Sequence, residues 1–425
     1  MKIHFIGIGG IGVSALAQHF AGNGHKISGS DLAYSEILEK LRKIGIKLYI
    51  GKQKAKNISK DIDLVIYSPA AQKDNPERKA AKKLGIKCQS YPQALGELTK
   101  EYFTIAVSGS HGKSTTTAMV ALILIKAGLD PTVIIGTKLK EFDNSNYRKG
   151  KGKYLVIEAC EHEESFLNYW PKIAIITNIE KEHLDYYKNL NNILKAFKKY
   201  IGHLPKDGTA ILNEDDKNCL KLKALKTKFY TLKQKEVKTL KRILKVKGDH
   251  NIYNALAALA IARTLKISDK TSFKALSNYK GSWRRFEIIR RVPLIVSDYA
   301  HHPTEIEASL KGAKSTWPNK KILLVFQPHQ HQRTFYLFKD FVRVFKKAPI
   351  DRCIITDIYD VAGREGKIKV DPQELVTKIK RKEVFYLPQK KIIPYLKKNL
   401  ESNQVLIIMG AGDIYKLADE FSTRR

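Results

Sequence analysis

At 425 residues the chain is too long for a single hydrophobic core, and domains of roughly 100 to 200 residues divide it into two to four units, with three as the central expectation. No run of 18 apolar residues occurs, no signal-peptide pattern precedes the first apolar strand, and Cys88, Cys160, Cys219 and Cys353 form no CxxC pair, so the expectation is a soluble, cytoplasmic protein with no membrane insertion, disulfide scaffold or zinc site. The 77 Lys and Arg against 42 Asp and Glu leave a net charge of +35, but the lysines are spread over every segment, which reads as a solvated surface that attracts small anions and not as a nucleic-acid-binding arm.

Apolar runs of strand length alternate with amphipathic runs of helix length almost throughout, the pattern of an α/β protein with parallel sheets covered by helices. The first unit, 1–99, begins with a strand at Lys2 to Ile6 and a helix at Val13 to Ala21; further strands are expected at Lys26 to Gly29, Lys47 to Tyr49 and Leu64 to Tyr67. Between the first strand and helix stands Gly7-Ile8-Gly9-Gly10-Ile11-Gly12, a G-x-G-x-x-G turn, with Asp31 at the separation expected for a ribose contact. Alone the turn fits a dinucleotide, a nucleoside diphosphate ligand, or tight packing of strand on helix. A dehydrogenase leaves the next motif unexplained.

The second unit, 100–282, opens with the strand Phe103 to Val107, followed by Ser108-Gly109-Ser110-His111-Gly112-Lys113-Ser114-Thr115 and an apolar helix (Ala118 to Ala127). An ordinary Walker A loop would need glycine at position 107, where the chain has valine. The shorter G-x-H-G-K-S still offers backbone N–H groups, a helix N-terminus, the Lys113 cation and the Ser114 hydroxyl to a triphosphate and its Mg²⁺. Glu158 ends the strand Tyr154 to Glu158, and His183 follows the strand Ile173 to Thr177. In a parallel sheet both reach the carboxyl edge, where with Ser114 they can share Mg²⁺ around ATP phosphates. A long helix is expected over Asn251 to Thr264, and only short strands and turns over Lys217 to Lys247.

The third unit, 283–425, carries strands at Leu294 to Ser297, Ile322 to Phe326, Ile354 to Thr356 and Val405 to Met409. Asp298-Tyr299-Ala300-His301-His302 and Gln327-Pro328-His329-Gln330-His331-Gln332-Arg333 follow two of these, placing four imidazoles and a guanidinium at one sheet edge. The spacing lacks the ligand pattern of zinc, and Arg333 suits a small carboxylate better.

Taken in order, His4 to Gly12, Ser28-Gly29-Ser30-Asp31, Ser68-Pro69-Ala70, Gly109 to Thr117, Glu158 to Leu167, Thr177 to Asp185, Gly248 to Ala257, Arg284-Arg285-Phe286, Asp298 to Glu305, Phe326 to Thr334 and Met409 to Gly412 resemble the Mur ligases of peptidoglycan synthesis over essentially the whole chain. The resemblance implies three domains: an N-terminal Rossmann-like domain for a UDP-sugar, a central P-loop ATPase-type domain, and a C-terminal Rossmann-like domain that closes on ATP and an amino acid. It implies UDP-N-acetylmuramate and L-alanine as substrates, ATP and Mg²⁺ as cofactors, and a monomer or homodimer that binds no nucleic acid. Gly9, Gly10, Ile11, Gly12, Asp31 and Ser68 match the nucleotide-sugar site. Gly109, Ser110, His111, Gly112, Lys113, Ser114 and Thr115 match the ATP loop, with Ser114 and Glu158 on one Mg²⁺ and His183 on a second. His250 and Asn254 match adenine contacts, Arg285 and Asp298 match groups that reach ATP, and Tyr299, His301, His329 and Arg333 match the amino-acid region.

The chain departs from the family pattern at Ser114 (usually Thr), Cys160 and His162 (Asp and Ser), Glu182 (Asp) and Gln330 (Arg), and 213–248 is abbreviated. Two rival readings are a ligase that joins a whole tripeptide to the same nucleotide sugar and a P-loop ATPase acting on nucleic acid. Phe326-Gln327-Pro328-His329 favours a single amino acid, because Glu-Pro-Arg is expected for the tripeptide.

Overall fold

The computed structural model describes residues 1–360 and 368–422, and its strands form three sheets in chain order. The first contains β1 (Lys2–Ile6), β2 (Lys26–Asp31), β3 (Lys47–Ile50), β4 (Leu64–Tyr67) and β5 (Lys87–Ser90), all parallel, in the order β3-β2-β1-β4-β5. Ile3, Phe5 and Ile6 of β1 are buried, as a central parallel strand covered on both faces requires. The strand order reverses at β1, and its carboxyl end opens directly into the glycine turn. That is where a doubly wound sheet leaves a ligand crevice.

The second sheet contains β6 (Phe103–Ser108), β7 (Thr132–Leu139), β8 (Ser145–Arg148), β9 (Tyr154–Glu158), β10 (Ile173–Ile176), β11 (Thr209–Asn213) and β12 (Thr227–Tyr230), in the order β12-β11-β10-β6-β9-β7-β8. Only β8 runs antiparallel. In register, Val107 of β6 faces Glu158 of β9 and Ser108 faces Ile176 of β10, so three strands end together beside the phosphate loop.

The third sheet contains β13 (Glu287–Arg291), β14 (Leu294–Asp298), β15 (Lys321–Phe326), β16 (Arg352–Ile355), β17 (Val384–Tyr386) and β18 (Gln404–Met409), in the order β13-β14-β18-β15-β16-β17, with β13 antiparallel at one edge. Asp298 and Phe326 both pair with Met409, which aligns the segments that follow β14 and β15. One face of this sheet buries Phe341, Val344 and Phe345 of the helix Phe338–Lys347, a spacing of three and four residues that keeps one helix face inward.

By packing the chain forms two units. The first comprises Met1–Glu182, Asn189–Ile243 and Tyr253–Tyr279 and holds the first two sheets; the second comprises His183–Lys188, Leu244–Ile252 and the chain from Lys280 on. Within the first unit, the helix Ile11–Gly22 that follows the glycine turn packs on β7 and β8. Asn146 of β8 donates to the Ile11 carbonyl and, at 2.8 Å, to Ser14 Oγ, and Gln18 Nε2 donates to Asn146 Oδ1 at 3.0 Å. These contacts tie the helix after the glycine turn of one sheet to the edge of the other.

The segment 217–247 corrects the expectation of short strands and turns only. It contains β12 but also the helix Glu236–Ile243, which buries Leu240. The apolar spacing Val237, Leu240, Ile243 and Leu244 is helical, but the surrounding lysines mask it.

Candidate active site

The glycine turn after β1 is closed by its own chain. Gly7 has φ +75°, a conformation that L side chains rarely adopt, and a Cβ there would stand 2.9 Å from Ser68 Cβ. Asp31 Oδ2 accepts a hydrogen bond from the Gly9 N–H at 2.8 Å, so one carboxylate oxygen of this residue holds the turn. Gly10 and Ile11 lead into the helix, and a Cβ on Gly12 would lie 2.7 Å from the Tyr91 hydroxyl oxygen. Burial pushes the Tyr91 phenol up, and the nearby Glu158 and Cys160 push it further. Tyr91 therefore closes over the glycine turn of the first sheet.

The phosphate loop is held from β10. Ser110 N–H donates to the Asn178 carbonyl at 2.9 Å, His111 N–H donates to Asn178 Oδ1 at 3.0 Å, and the His111 carbonyl accepts from Thr177 Oγ1 at 2.6 Å. A Cβ on Gly109 would lie 2.1 Å from Thr177 Oγ1, and Gly109 has φ +125°, so glycine alone fits. Gly112, at φ +83°, sits before the helix Lys113–Lys126, and a Cβ there would meet Asn254 Oδ1 at 2.4 Å. Asn254 also accepts from Thr116 Oγ1 at 3.1 Å, which places this sequence-selected residue against the loop. Ser114 and Thr115 are buried in the first helical turn, where unpaired N–H groups and the helix dipole favour an anion.

Lys113 is not a free cation. Its ammonium donates to the carbonyls of Gly109 and Ser110 at 2.5 and 3.0 Å and pairs with Glu161 at 2.9 Å. Burial opposes the charge, but Glu161, Cys160 and Glu158 outweigh it and hold the ammonium above its ordinary value. Glu158 is half-buried, and its Oε1 accepts from Gly136 N–H at 2.7 Å. A serine hydroxyl and a carboxylate are hard oxygen donors of the kind Mg²⁺ takes, so the residues present fit that ion.

In the second unit, His183 has φ +53° and precedes the short helix Leu184–Tyr187, whose Leu184 packs on the core of the third sheet. His250 is exposed beside Asn251, whose amide lies 3.1 Å from its Nε2. Arg285 pairs with Glu305 at 3.7 Å and lies over the Tyr299 ring at 4.8 Å. Asp298 is buried, accepting from Ser309 Oγ at 2.5 Å and from Ala300 N–H at 3.1 Å; burial raises its carboxyl above the usual range. His301 and His329 have ring centroids 5.7 Å apart. Arg333 Nη1 lies 2.9 Å from His329 Nδ1 and donates to Gln330 Oε1 at 3.2 Å. Tyr299, His301, His329 and Arg333 thus occupy one sheet edge. His302 caps the helix Pro303–Thr316 and His331 Nδ1 accepts from Val370 N–H, both structural uses.

Sequence reasoning missed Tyr91, Glu161, Thr177 and Asn178 as individual contacts. Thr177 and Asn178 stand in a quoted motif, but their partners lie 66 and 67 residues away. Glu161 lies next to the noted Cys160, and only the folded chain brings it to Lys113.

Three family models match in chain order: Mur ligase family, catalytic domain, over 2–103; Mur ligase middle domain over 107–243; and Mur ligase, glutamate ligase domain, over 284–412. A UDP-N-acetylmuramate--L-alanine ligase of Acetivibrio thermocellus is 42% identical, the alignment covering 99% of this chain and 95% of that protein. One of Aquifex aeolicus is 40% identical, with 99% and 97% covered. The crystal structure of UDP-N-acetylmuramate-alanine ligase from Thermotoga maritima superposes with a TM-score of 0.83 at 30% identity, covering 99% of this chain and 98% of that one. A murein peptide ligase of Psychrobacter arcticus shares the fold, with a TM-score of 0.72 at 23% identity and 100% and 99% covered. With all three family models in order and near-full-length relatives at about 40% identity, the chain belongs to the Mur ligase family.

Proposed function

We propose that this protein joins L-alanine to UDP-N-acetylmuramate at the expense of ATP, in the cytoplasmic synthesis of peptidoglycan precursors. The observation that carries the reading is the pairing, inside one packed unit, of a glycine turn suited to a nucleotide diphosphate with a phosphate loop suited to ATP. The names and coverage of the relatives support the same substrates.

In the reaction, a lactyl carboxylate oxygen attacks the γ-phosphorus of ATP, and ADP leaves. The L-alanine amine then attacks the acyl carbon; inorganic phosphate departs with the carboxylate oxygen, and the amine loses its proton. Gly9, Gly10, Ile11, Gly12, Asp31 and Ser68 hold the nucleotide sugar, and Gly109 to Thr115 hold the triphosphate, with His250 and Asn254 at adenine. Lys113 and Arg285 stabilise charge on the transferring phosphoryl group. Asp298, with Arg285, reaches ATP from the third domain, and Tyr299, His301, His329 and Arg333 receive L-alanine. Ser114 and Glu158 would hold one Mg²⁺ and His183 a second, and the ions would neutralise phosphate charge.

The test is ADP release with ATP and UDP-N-acetylmuramate while single amino acids and the stem tripeptide are offered in turn. L-alanine should give the highest kcat/KM. Preference for the tripeptide would replace this reading with the recycling reaction, and stimulation by nucleic acid would replace it with the ATPase.

A further inference from the structure

The three N–H groups of the Lys113 ammonium donate to the Gly109 carbonyl at 2.5 Å, the Ser110 carbonyl at 3.0 Å and Glu161 Oε1 at 3.1 Å, and Glu161 Oε2 lies 2.9 Å away in the same ion pair. The two carbonyls belong to the loop itself, which Thr177 and Asn178 fix from β10. The remaining partner is a carboxylate that is only 2% exposed and approaches from the segment after β9. Every proton the lysine could give to a phosphate is therefore already donated, and the one charged acceptor comes from outside the loop.

We infer that Glu161 is an internal competitor of the nucleotide phosphates for Lys113, a positioning residue that releases the lysine when nucleotide enters and recaptures it when ADP leaves. The inference rests on the reading of Gly109 to Thr115 as a nucleotide-phosphate loop. A buried carboxylate without its cation is costly, so the recapture favours departure of the product. Replacing the carboxylate by an amide turns a charge-assisted pair into a weaker one and leaves the ammonium more available to phosphate.

The experiment is a double-mutant cycle read by ADP binding, with the parent, Glu161→Gln, Lys113→Ala and the double variant titrated calorimetrically at fixed Mg²⁺ and checked for cooperative thermal unfolding. Glu161→Gln should bind ADP about tenfold more tightly than the parent, with slower ADP release in stopped flow, and the gain should vanish in the Lys113→Ala background. Glu161→Asp, which keeps the charge but withdraws it by one methylene, should lie between the parent and the amide and serves if the amide does not fold. Equal or weaker ADP binding by Glu161→Gln, or a gain that persists without Lys113, overturns the inference while leaving the loop assignment in place. A parent protein that binds no ADP at all overturns the loop assignment, and the inference with it.

Discussion

Lys113 and Arg333 show how much a single side chain depends on what already holds it. Lys113→Ala should lower turnover roughly 100-fold or more, the usual cost of losing one preorganised electrostatic group, while the variant still binds UDP-N-acetylmuramate, because that ligand is assigned to the turn of the first sheet. Isothermal titration beside steady-state kinetics checks both halves. At Arg333, one guanidinium nitrogen already engages His329 and Gln330, which sets the plane of the group. Arg333→Lys replaces a planar fork by a point charge and should raise the KM for L-alanine about tenfold while leaving that for ATP nearly unchanged. Movement of the ATP KM instead would assign Arg333 to the phosphate machinery. The glycines of both loops and the lysine of the second could be read from the chain because their chemistry demands particular residue types at fixed spacing. The partners of Lys113, Gly12 and His111 could not, since Glu161, Tyr91 and Asn178 are ordinary residues whose use depends on tertiary approach.

The helix Ile11–Gly22 begins at the glycine turn and buries His19 against β8. Tyr147 Oη lies 3.3 Å from His19 Nδ1, and Asn23 Nδ2 lies 3.1 Å from Nε2. Burial, then the charges of Lys149 and His25, lower the His19 imidazole from 6.5 to about 4. The unfolded chain thus takes up a proton below pH 6.5 that the folded protein refuses until pH 4, so stability is full above the higher value and falls as the pH drops through this window. Because the ring is buried, the loss should be about 3 kcal/mol. Urea unfolding of the parent and His19→Gln from pH 7.5 down should show the pH slope reduced by that contribution in the variant; identical slopes would contradict it. The same helix shows where element-level reading succeeds and fails. Its apolar periodicity and its glycine turn mark it in the chain, as the uninterrupted apolar runs mark β1, β6 and β15. The helix Glu236–Ile243 hides in a lysine-rich stretch, and β8 carries Ser145, Asn146 and Arg148 because it serves as an edge strand and as a docking surface for another helix.

For the whole molecule, the order of sheets follows the order of motifs, each candidate loop lying at the carboxyl end of a parallel strand. That much follows from alternating strand and helix patterns, because a parallel sheet leaves its ligand edge at the strand ends. The pairing of the first two sheets into one unit does not, since it rests on polar contacts such as Asn146 with Ser14 and Lys138 with Glu36 that no periodicity announces. Among the described residues no helix is long and apolar enough to cross a membrane. The net charge of +35 is consistent with attraction of anionic substrates and predicts that KM for UDP-N-acetylmuramate rises with ionic strength. The central claim is that the carboxylate is activated by phosphorylation before the amine attacks, and it is tested most directly with UDP-N-acetylmuramate labelled with ¹⁸O in the lactyl carboxylate. Mass spectrometry of the phosphate released with ATP and L-alanine should find one labelled oxygen per phosphate from doubly labelled carboxylate, whereas unlabelled phosphate accompanying amide formation would contradict the account.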